Sequence, residues 1–445
     1  MAFGMAVYLA RILGAEGYGV IALAMGVTLY LSKIAEFSIE VIGTKELAKA
    51  PDSVNHLASA VMSVRLVLAV FLAAVAILVT RLVVKEPERT IMSLYFLSVI
   101  PIAGNAKWIH LGLENARPVG FSRIVGEALC LGLVLGLVQN KADLWGAPVA
   151  RIAGEICFAV LLVLMLRRRN CRFGLRWDLS TALPVFLEAL PVLGHTLLWL
   201  IIYNSDLIFL RFFRDGESVG YYAAAYMLIS FLANVGFSYG MSLLPTLTRL
   251  GARTAEERSL YQTALAHVYV VCLPISIAGC ILASQLITFG FGDGYIRSVP
   301  ALRVLIWCIP LLLLRTVPWV ALLARGKQNL ILKAVLYSVI ANLTLNLLLI
   351  PRHGILGAAV ATIVTESLTG ILFFAYIARQ DLLLPSLQRF WRPTVASLCM
   401  MAVLLLLRSS HLVAGLAAGT GSYVAVLTIL GGIRLHRGIR PALSL

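Results

Sequence analysis

Charged side chains are scarce in this sequence. Of its 445 residues, only 13% are Asp, Glu, Lys or Arg, whereas 60% are hydrophobic. A soluble domain has about 25% charged residues, so this chain has roughly half the charge that a water-exposed surface needs. The composition therefore excludes a soluble enzyme, a disordered chain and a secreted disulfide scaffold. It predicts a polytopic membrane protein.

Motifs for catalysis and for metal binding are also missing. The seven cysteines form no CxxC pair, and the seven histidines show no HExxH spacing. The sequence has no GxxxxGK[ST] loop to hold the phosphates of ATP, and no loop between apolar segments is long enough for a soluble catalytic domain. We therefore expect no enzymatic activity, no cofactor and no metal, and we interpret the cysteines as small buried hydrophobic residues.

Acidic residues are much rarer than basic ones. The chain has 21 Asp and Glu against 37 Lys and Arg, which gives a formal net charge of +16. In a soluble protein this excess would suggest nucleic-acid binding. In a membrane chain, basic cytoplasmic loops and an anionic ligand within the membrane explain it better, so we expect a lipid partner and no nucleic acid.

Long apolar segments are abundant. A spanning helix needs about 20 largely apolar residues, and fourteen segments approach or exceed that length. The first is short, which favours an additional stretch before it. The predicted fold is an all-α polytopic membrane protein with about 14 transmembrane helices. The predicted spans are 1–13, 17–41, 58–80, 90–111, 118–139, 145–166, 184–210, 218–247, 261–289, 296–323, 329–350, 355–378, 390–408 and 411–432.

Basic residues in the loops predict the orientation. If the first span runs outward, the inner loops contain 20 of the 37 Lys and Arg residues and the outer loops contain 10. Cytoplasmic loops carry such an excess of positive charge. We therefore expect a multi-pass protein of the cell membrane (the inner or plasma membrane) with both termini in the cytoplasm.

The remaining seven basic residues fall within predicted spans. A charge near the centre of a membrane helix costs at least about 2.5 kcal/mol, so it usually faces a partner, an aqueous cavity or a ligand. Arg65, Arg303 and Arg315 have no acidic residue within four positions on their own helices. Arginine suits phosphate because its forked donors can bind two oxygens. These three are predicted to bind an anionic substrate.

The other intramembrane cations have local alternatives. Lys33, Arg123 and Arg151 each have a glutamate three or four positions along the helix, so a structural ion pair competes with ligand binding. Lys333 lies near a helix end and can extend to the membrane surface. The predicted residues of a central substrate-binding cavity are Arg65, Arg303, Arg315, Lys33, Arg151 and Arg123.

Three carboxylates are candidates for coupling to H⁺ or Na⁺. Glu155 and Glu366 lie about ten residues into their helices, which places them close to the middle of the membrane by the rise of an α-helix. Asp206 lies near the outer end of the seventh span. Buried carboxylates can bind a proton or a cation, although pairing with Arg151 competes with this role for Glu155.

Two segments of the chain repeat each other. Residues 146–155 and 357–366 align without a gap at an offset of 211, with six of ten positions identical. The offset contains six spans, an even number, so both copies keep the same orientation, as in transporters built from parallel repeats. We predict a six-helix lobe at 1–176, a second at 177–380, and two additional helices with a cytoplasmic tail at 381–445.

Several motifs resemble those of bacterial and archaeal polysaccharide transporters. They are RILGAEGYG at 11–19, Trp108 followed by GLE at 112–114, NSD at 204–206, GYY at 220–222, LLP at 243–245, and NLTLNLLLIPRHGILG at 342–357. The chain is similar to flippases of the O-antigen type within the multidrug/oligosaccharidyl-lipid/polysaccharide exporter superfamily. The resemblance covers essentially the whole chain.

The resemblance implies a V-shaped pair of lobes around a cationic cavity that opens alternately to each side. The implied substrate is a polyprenyl-pyrophosphate-linked oligosaccharide, flipped from the cytoplasmic to the outer leaflet for cell-surface polysaccharide biosynthesis. It also implies coupling to H⁺ or Na⁺ and association with the polysaccharide assembly machinery.

Three alternatives remain at this point. A cation-coupled drug antiporter of the same superfamily would have an acidic cavity, which the intramembrane cations disfavour. A membrane glycan polymerase or ligase would need a large outer loop. A scaffold without transport activity would not need buried arginine.

Overall fold

The computed structural model describes residues 2–50, 53–168, 171, 174–382, 389–407, 411–435 and 441–443. Parts of the loops that follow the second, sixth, twelfth and thirteenth predicted spans, and most of the predicted tail, lie outside these ranges. Among the loop cations counted for the orientation, the ones outside them are Arg169, Arg172, Arg408, Arg437 and Arg440.

The chain is helical along almost all of its described length. The helices are α1 (Ala2–Glu36), α2 (Ile39–Lys49), α3 (Val54–Val83), α4 (Glu88–Leu97), α5 (Val99–Ala103), α6 (Lys107–Gly112), α7 (Arg117–Leu137), α8 (Gly146–Arg167), α9 (Leu179–Phe213), α10 (Gly216–Leu250), α11 (Ala255–Ile281), α12 (Ala283–Phe291), α13 (Val299–Leu305), α14 (Cys308–Ala324), α15 (Gln328–Ala378), α16 (Trp391–Leu406) and α17 (Leu412–Ile429). A 3₁₀ helix, Asp293–Ser298, precedes α13.

Each of the fourteen predicted spans coincides with helical structure, although not always with one helix. Among the described residues, nine continuous helices are long and apolar enough to cross a membrane, or ten if a pair bent by 40° at 305–308 counts as one span. Two predicted pairs of spans merge within α1 and α15. The span predicted at 90–111 is divided among α4, α5 and α6, and α16 is 16 residues long. The structure is consistent with fourteen membrane segments.

Two of the long helices contain a glycine with a left-handed backbone. Gly14 interrupts α1 at φ 71° and ψ 178°, and Gly354 interrupts α15 at φ 55° and ψ −130°. Glycine adopts positive φ without the steric cost of a Cβ atom. Both helices therefore break where the apolar pattern predicts the boundary between two spans.

The internal repeat is visible where its two copies begin. A Cβ atom on Gly357 would clash with the backbone oxygen of Leu349, at the end of the preceding span. Its counterpart is Gly146, where a Cβ atom would lie 3.0 Å from the backbone oxygen of Leu137, again at the end of the preceding span. The equivalent glycines therefore both lie close to the chain at the end of the preceding span.

The chain divides into two compact units. The first unit is Met1–Arg211 with Asp215–Gly220, and the second is Phe212–Arg214 with Tyr221–Leu445. α9, which the repeat assigns to the second lobe, packs on the first unit: Lys45 lies 2.6 Å from Glu188, and the Tyr30 hydroxyl donates to the Leu200 carbonyl at 2.8 Å. The lobe boundaries proposed from the sequence stay a prediction.

The last helices belong to the second unit. α16 and α17 pack on α11, where the Tyr423 hydroxyl donates a hydrogen bond to the Val270 carbonyl at 2.7 Å. Gly431, at φ 71°, ends α17, and a short antiparallel pair of strands follows, β1 (Ile433–Leu435) and β2 (Pro441–Leu443). The prediction of a helical fold is confirmed. The strand pair was not expected.

The cysteines lie mostly within the helices and remain unpaired. Cys130, Cys272 and Cys308 are buried, whereas Cys399 is exposed. All seven are free thiols. The interpretation as small hydrophobic residues holds for the buried ones.

Candidate functional site

In the first unit, α7 and α8 approach each other closely at two glycines. A Cβ atom on Gly126 would lie 2.8 Å from the Gly154 oxygen, and one on Gly154 would lie 2.9 Å from the Gly126 oxygen. Small residues allow such close packing of membrane helices. The contact brings together four charged side chains, which we call the charge ring: Arg123, Glu127, Arg151 and Glu155.

Positive and negative side chains alternate around the charge ring. Arg123 lies 2.6 Å from Glu127 and 3.0 Å from Glu155. Arg151 lies 2.7 Å from Glu155 and 3.5 Å from Glu127. Since Glu155 is only 4% exposed, these partners offset the cost of removing its charge from water. The predicted local pairs are confirmed, and each arginine contacts two carboxylates.

In the second unit, Arg315 of α14 reaches Glu366 of α15. The Arg315 Nε donates to a Glu366 carboxylate oxygen at 2.7 Å, and both side chains are almost fully buried. The sequence shows no local partner for either residue, because 51 positions separate them. The structure supplies the partner that Arg315 needs.

A seam of buried polar side chains connects the two halves of α15. The Asn342 amide donates to Thr365 at 3.4 Å, and the Thr369 hydroxyl donates to Ser338 at 2.7 Å. The seam includes the NLTLN motif, because Asn346 donates to the Asn342 side chain at 3.1 Å. In the sequence, this motif indicates a family and not a site. The seam could have been predicted from the polar residues that recur at every fourth position of this apolar helix.

Near the end of α1, two ion pairs surround the junction with α2. Lys33 lies 2.7 Å from Glu36, and Lys107 lies 2.6 Å from Glu40. The Glu36 carboxylate also faces the Asn105 amide at 3.5 Å. Lys33 is therefore neutralised by the acidic neighbour that the sequence indicated.

Arg65 of α3 interacts electrostatically with Glu36 and Glu40, but it forms an ion pair with neither. It is 2% exposed, and within the part of the chain that is described it has no ion pair. Its Nη1 contacts the Met62 sulfur at 3.8 Å, and its Nε has no hydrogen-bond partner. A buried guanidinium without a carboxylate is costly, so Arg65 is a candidate for function.

The remaining candidates lie in different places. Arg303 on α13 is exposed, and so is Lys333 on α15; neither has an ion pair among the described residues. Asp206 on α9 is 1% exposed and interacts electrostatically with Tyr30. Of the six predicted cations, Lys33, Arg123, Arg151 and Arg315 are bound to carboxylates, and Arg65 and Arg303 form no ion pair among the described residues.

A clamp in the second unit was missed by the sequence reasoning. Arg325 at the end of α14 binds Glu257 at the start of α11 through two hydrogen bonds, of 2.8 and 2.5 Å, and it also donates to the Gln380 carbonyl. Thr254 accepts a hydrogen bond from the Glu257 amide, which is half of a capping box. The Thr-x-x-Glu spacing at 254–257 is the sequence feature from which this helix start could have been predicted.

Outside the spans, the loop before α9 carries a stabilised carboxylate. Hydrogen bonds from Ser180, which has the larger effect, and from Thr181 lower the pKa of Asp178 to about 2. His56 lies 3.0 Å from the same carboxylate. Asp178 therefore remains charged at neutral pH.

No group of three or more His, Cys, Asp and Glu side chains could hold a metal ion within the described ranges.

Two solved structures share the fold of this chain. One is "Lipid II flippase MurJ, inward closed conformation", with a TM-score of 0.78 and 13% identity, covering 96% of both chains. The other is "Inward-facing conformation of a multidrug resistance MATE family transporter of the MOP superfamily". It has a TM-score of 0.65 and 14% identity, covering 85% of this chain and 94% of that one. The chain therefore has the fold of these two membrane proteins, which agrees with its many long apolar helices.

Sequence comparison gives the family. Residues 1–251, more than half of the chain, match the family described as "Polysaccharide biosynthesis protein". The chain belongs to this polysaccharide biosynthesis protein family.

Two curated relatives extend over most of the chain. Both are named "Putative O-antigen transporter". The protein of Shigella dysenteriae is 21% identical over 369 residues, which cover 81% of this chain and 91% of the relative. The protein of Escherichia coli K12 is 22% identical over 395 residues, which cover 84% and 92%.

Proposed function

We propose that this protein is a flippase for oligosaccharides linked to a polyprenyl pyrophosphate. It moves them from the cytoplasmic to the outer leaflet by alternating access, for cell-surface polysaccharide biosynthesis. The family, the O-antigen transporters among its relatives and the fold shared with a lipid II flippase support this proposal. In the cell it would work beside the polysaccharide assembly machinery.

The charges within the spans carry the proposal. Of the seven intramembrane cations, Lys33, Arg123, Arg151 and Arg315 have carboxylate partners. Arg65, Arg303 and Lys333 have no ion pair among the described residues. Within the described ranges these three cations lack a carboxylate partner, which suits an anionic substrate such as a pyrophosphate. A transporter for cationic drugs would need the opposite sign.

The residues divide into two proposed roles. Arg65 and Arg303 would bind the pyrophosphate or an acidic sugar without first losing a carboxylate, and the buried Arg65 would do so when a conformational change exposes it. The other cations would contact substrate only when their ion pairs open. Glu366, Glu155 and Asp206 remain the proposed coupling groups for H⁺ or Na⁺, and the first two would have to leave their arginines to bind a cation.

The first prediction concerns Arg65 in a transport assay. In proteoliposomes that contain an undecaprenyl-pyrophosphate-linked trisaccharide, the protein should make inner-leaflet glycan accessible to an external lectin. We expect Arg65→Met to lower this rate at least tenfold, because a hydrogen bond to a charged group contributes about 1.5–3 kcal/mol. Arg65→Lys should recover only part of the rate.

Lys333→Met is the matched control, because it also removes an unpaired cation but from an exposed position near a helix end. It should leave the rate unchanged. We expect Arg65→Met also to raise the unfolding temperature, since it removes a buried charge without a carboxylate. Normal transport by Arg65→Met would contradict its proposed role. A wild-type protein that moves no lipid-linked glycan would contradict the function.

A further inference from the structure

The first unit has a groove between the start of α7 and the end of α8. Its volume is about 350 Å³. The orientation predicted from the loop charges places these helix ends at the cytoplasmic surface of the membrane. The residues that line the groove are Asn115, Arg117, Pro118, Phe121, Met165 and Arg168.

The groove has positive charge and no described negative side chain to balance it. Arg117 and Arg168 are both exposed, and neither forms an ion pair in the described structure. No acidic residue is among the described side chains that line the groove. The first turn of α7 has no side-chain cap, so its free N–H groups add partial positive charge. The polar end of the groove suits an anion.

The other end of the groove is apolar and continues along the helix pair. Phe121 lines the groove and is 56% exposed. Beyond it, Ile124 of α7 and Leu164 of α8 are 62% and 47% exposed, as expected for side chains that face lipid. A cationic end followed by an apolar surface matches a molecule with an anionic head and a hydrocarbon chain.

We propose that this groove binds an anionic phospholipid. The phosphate diester lies between Arg117 and Arg168, and an acyl chain runs along Phe121 and Met165. Cytoplasmic leaflets contain anionic lipids that basic side chains attract. The site concerns a lipid of the surrounding membrane, so it does not depend on which molecule the protein transports.

The test measures thermal unfolding of the full-length protein in detergent with added lipid. Dioleoylphosphatidylglycerol should raise the unfolding temperature more than dioleoylphosphatidylcholine does, because binding to the folded state stabilises it. Arg117→Gln with Arg168→Gln should raise the concentration needed for half of that shift about 30-fold, since each basic side chain near an anionic lipid contributes roughly fivefold. Each single variant should raise the concentration needed for half of the shift about fivefold.

Arg167→Gln is the matched control, because Arg167 is an exposed neighbour at the same helix end that does not line the groove. It should leave the half-shift concentration unchanged. Inorganic phosphate and soluble glycerol phosphate should not raise the unfolding temperature at the same concentrations. Equal shifts with phosphatidylcholine, with inorganic phosphate, or in the double variant would each overturn the proposal.

Discussion

At the scale of single residues, the buried pair of Arg315 and Glu366 shows how these charges depend on each other. The two side chains are 2.7 Å apart and almost fully buried. Removing one member of such a pair leaves a buried charge without its ion-pair partner. Replacing both with apolar residues of similar volume removes that cost.

We therefore predict opposite effects for single and double substitutions. Arg315→Met should lower the free energy of unfolding by about 3–5 kcal/mol, and the double variant Arg315→Met/Glu366→Met should recover most of that loss. Lys33→Met is the control, because its pair with Glu36 is 37% exposed on the lysine side and should contribute less than about 1 kcal/mol. Reversible unfolding in detergent measures all three.

The double variant also tests the candidate roles of these two residues. A stable double variant that no longer moves lipid-linked glycan would support a part for Arg315 or Glu366 in transport. A stable and fully active one would show that the pair serves folding alone. The comparison separates the two because stability and transport are measured on the same protein.

The sequence identified the charged residues but not all of their partners. A charge within an apolar run can be read directly from the sequence. Partners four positions apart can be predicted because such residues are neighbours on an α-helix. Arg123 contacts Glu155 of another helix, 32 positions away in the sequence, and Arg315 contacts Glu366, 51 positions away. Such contacts depend on how helices pack, so Arg65 could not be told from Arg315 until the structure showed which one has a carboxylate.

At the scale of helices, the contact between α7 and α8 leaves no room for a side chain. We predict that Gly126→Ala lowers the free energy of unfolding by about 1–3 kcal/mol, because the methyl group would lie 2.8 Å from the Gly154 oxygen and force the helices apart. Gly132→Ala on the same helix is the control, since its Cβ would meet no atom within 4 Å. It should be neutral or slightly stabilising. Equal losses in both variants would contradict the packing argument.

Helix boundaries were predictable where the apolar pattern ends and less so where the backbone breaks inside it. The span predicted at 90–111 contains Pro101, which has no N–H to donate, and it divides into three short helices. By contrast, Gly14 and Gly354 lie at predicted boundaries. The hydropathy of a segment predicts that it lies in the membrane. Whether the segment forms one unbroken helix depends on single residues such as proline and glycine.

At the scale of the whole molecule, the orientation is the main open prediction. We expect residue 140 to lie outside and residue 256 to lie inside, because the two loops carry different numbers of basic residues. In a variant whose native cysteines are replaced, Asn140→Cys should react with a membrane-impermeant maleimide on intact cells. Glu256→Cys should react only after the membrane is permeabilised. The reverse pattern would contradict the orientation.

The sequence predicted the architecture of the whole chain, whereas its division into two six-helix lobes stays a prediction. Repeated motifs and the number of spans indicated the superfamily fold, which the comparison with solved structures confirms. The compact units divide near the end of α9, because α9 packs on the first unit through contacts such as Lys45 with Glu188. A repeat records similarity between segments, and it does not determine on which neighbours a helix at the boundary packs.

The charge ring also determines how a membrane voltage acts on this part of the protein. A potential of 100 mV changes the energy of one elementary charge that crosses the membrane by about 2.3 kcal/mol. The ring contains two positive and two negative side chains held together, so the field exerts almost no net force on α7 and α8 there. In this unit the field acts instead on charges outside the ring, such as Arg65, which has no ion pair among the described residues.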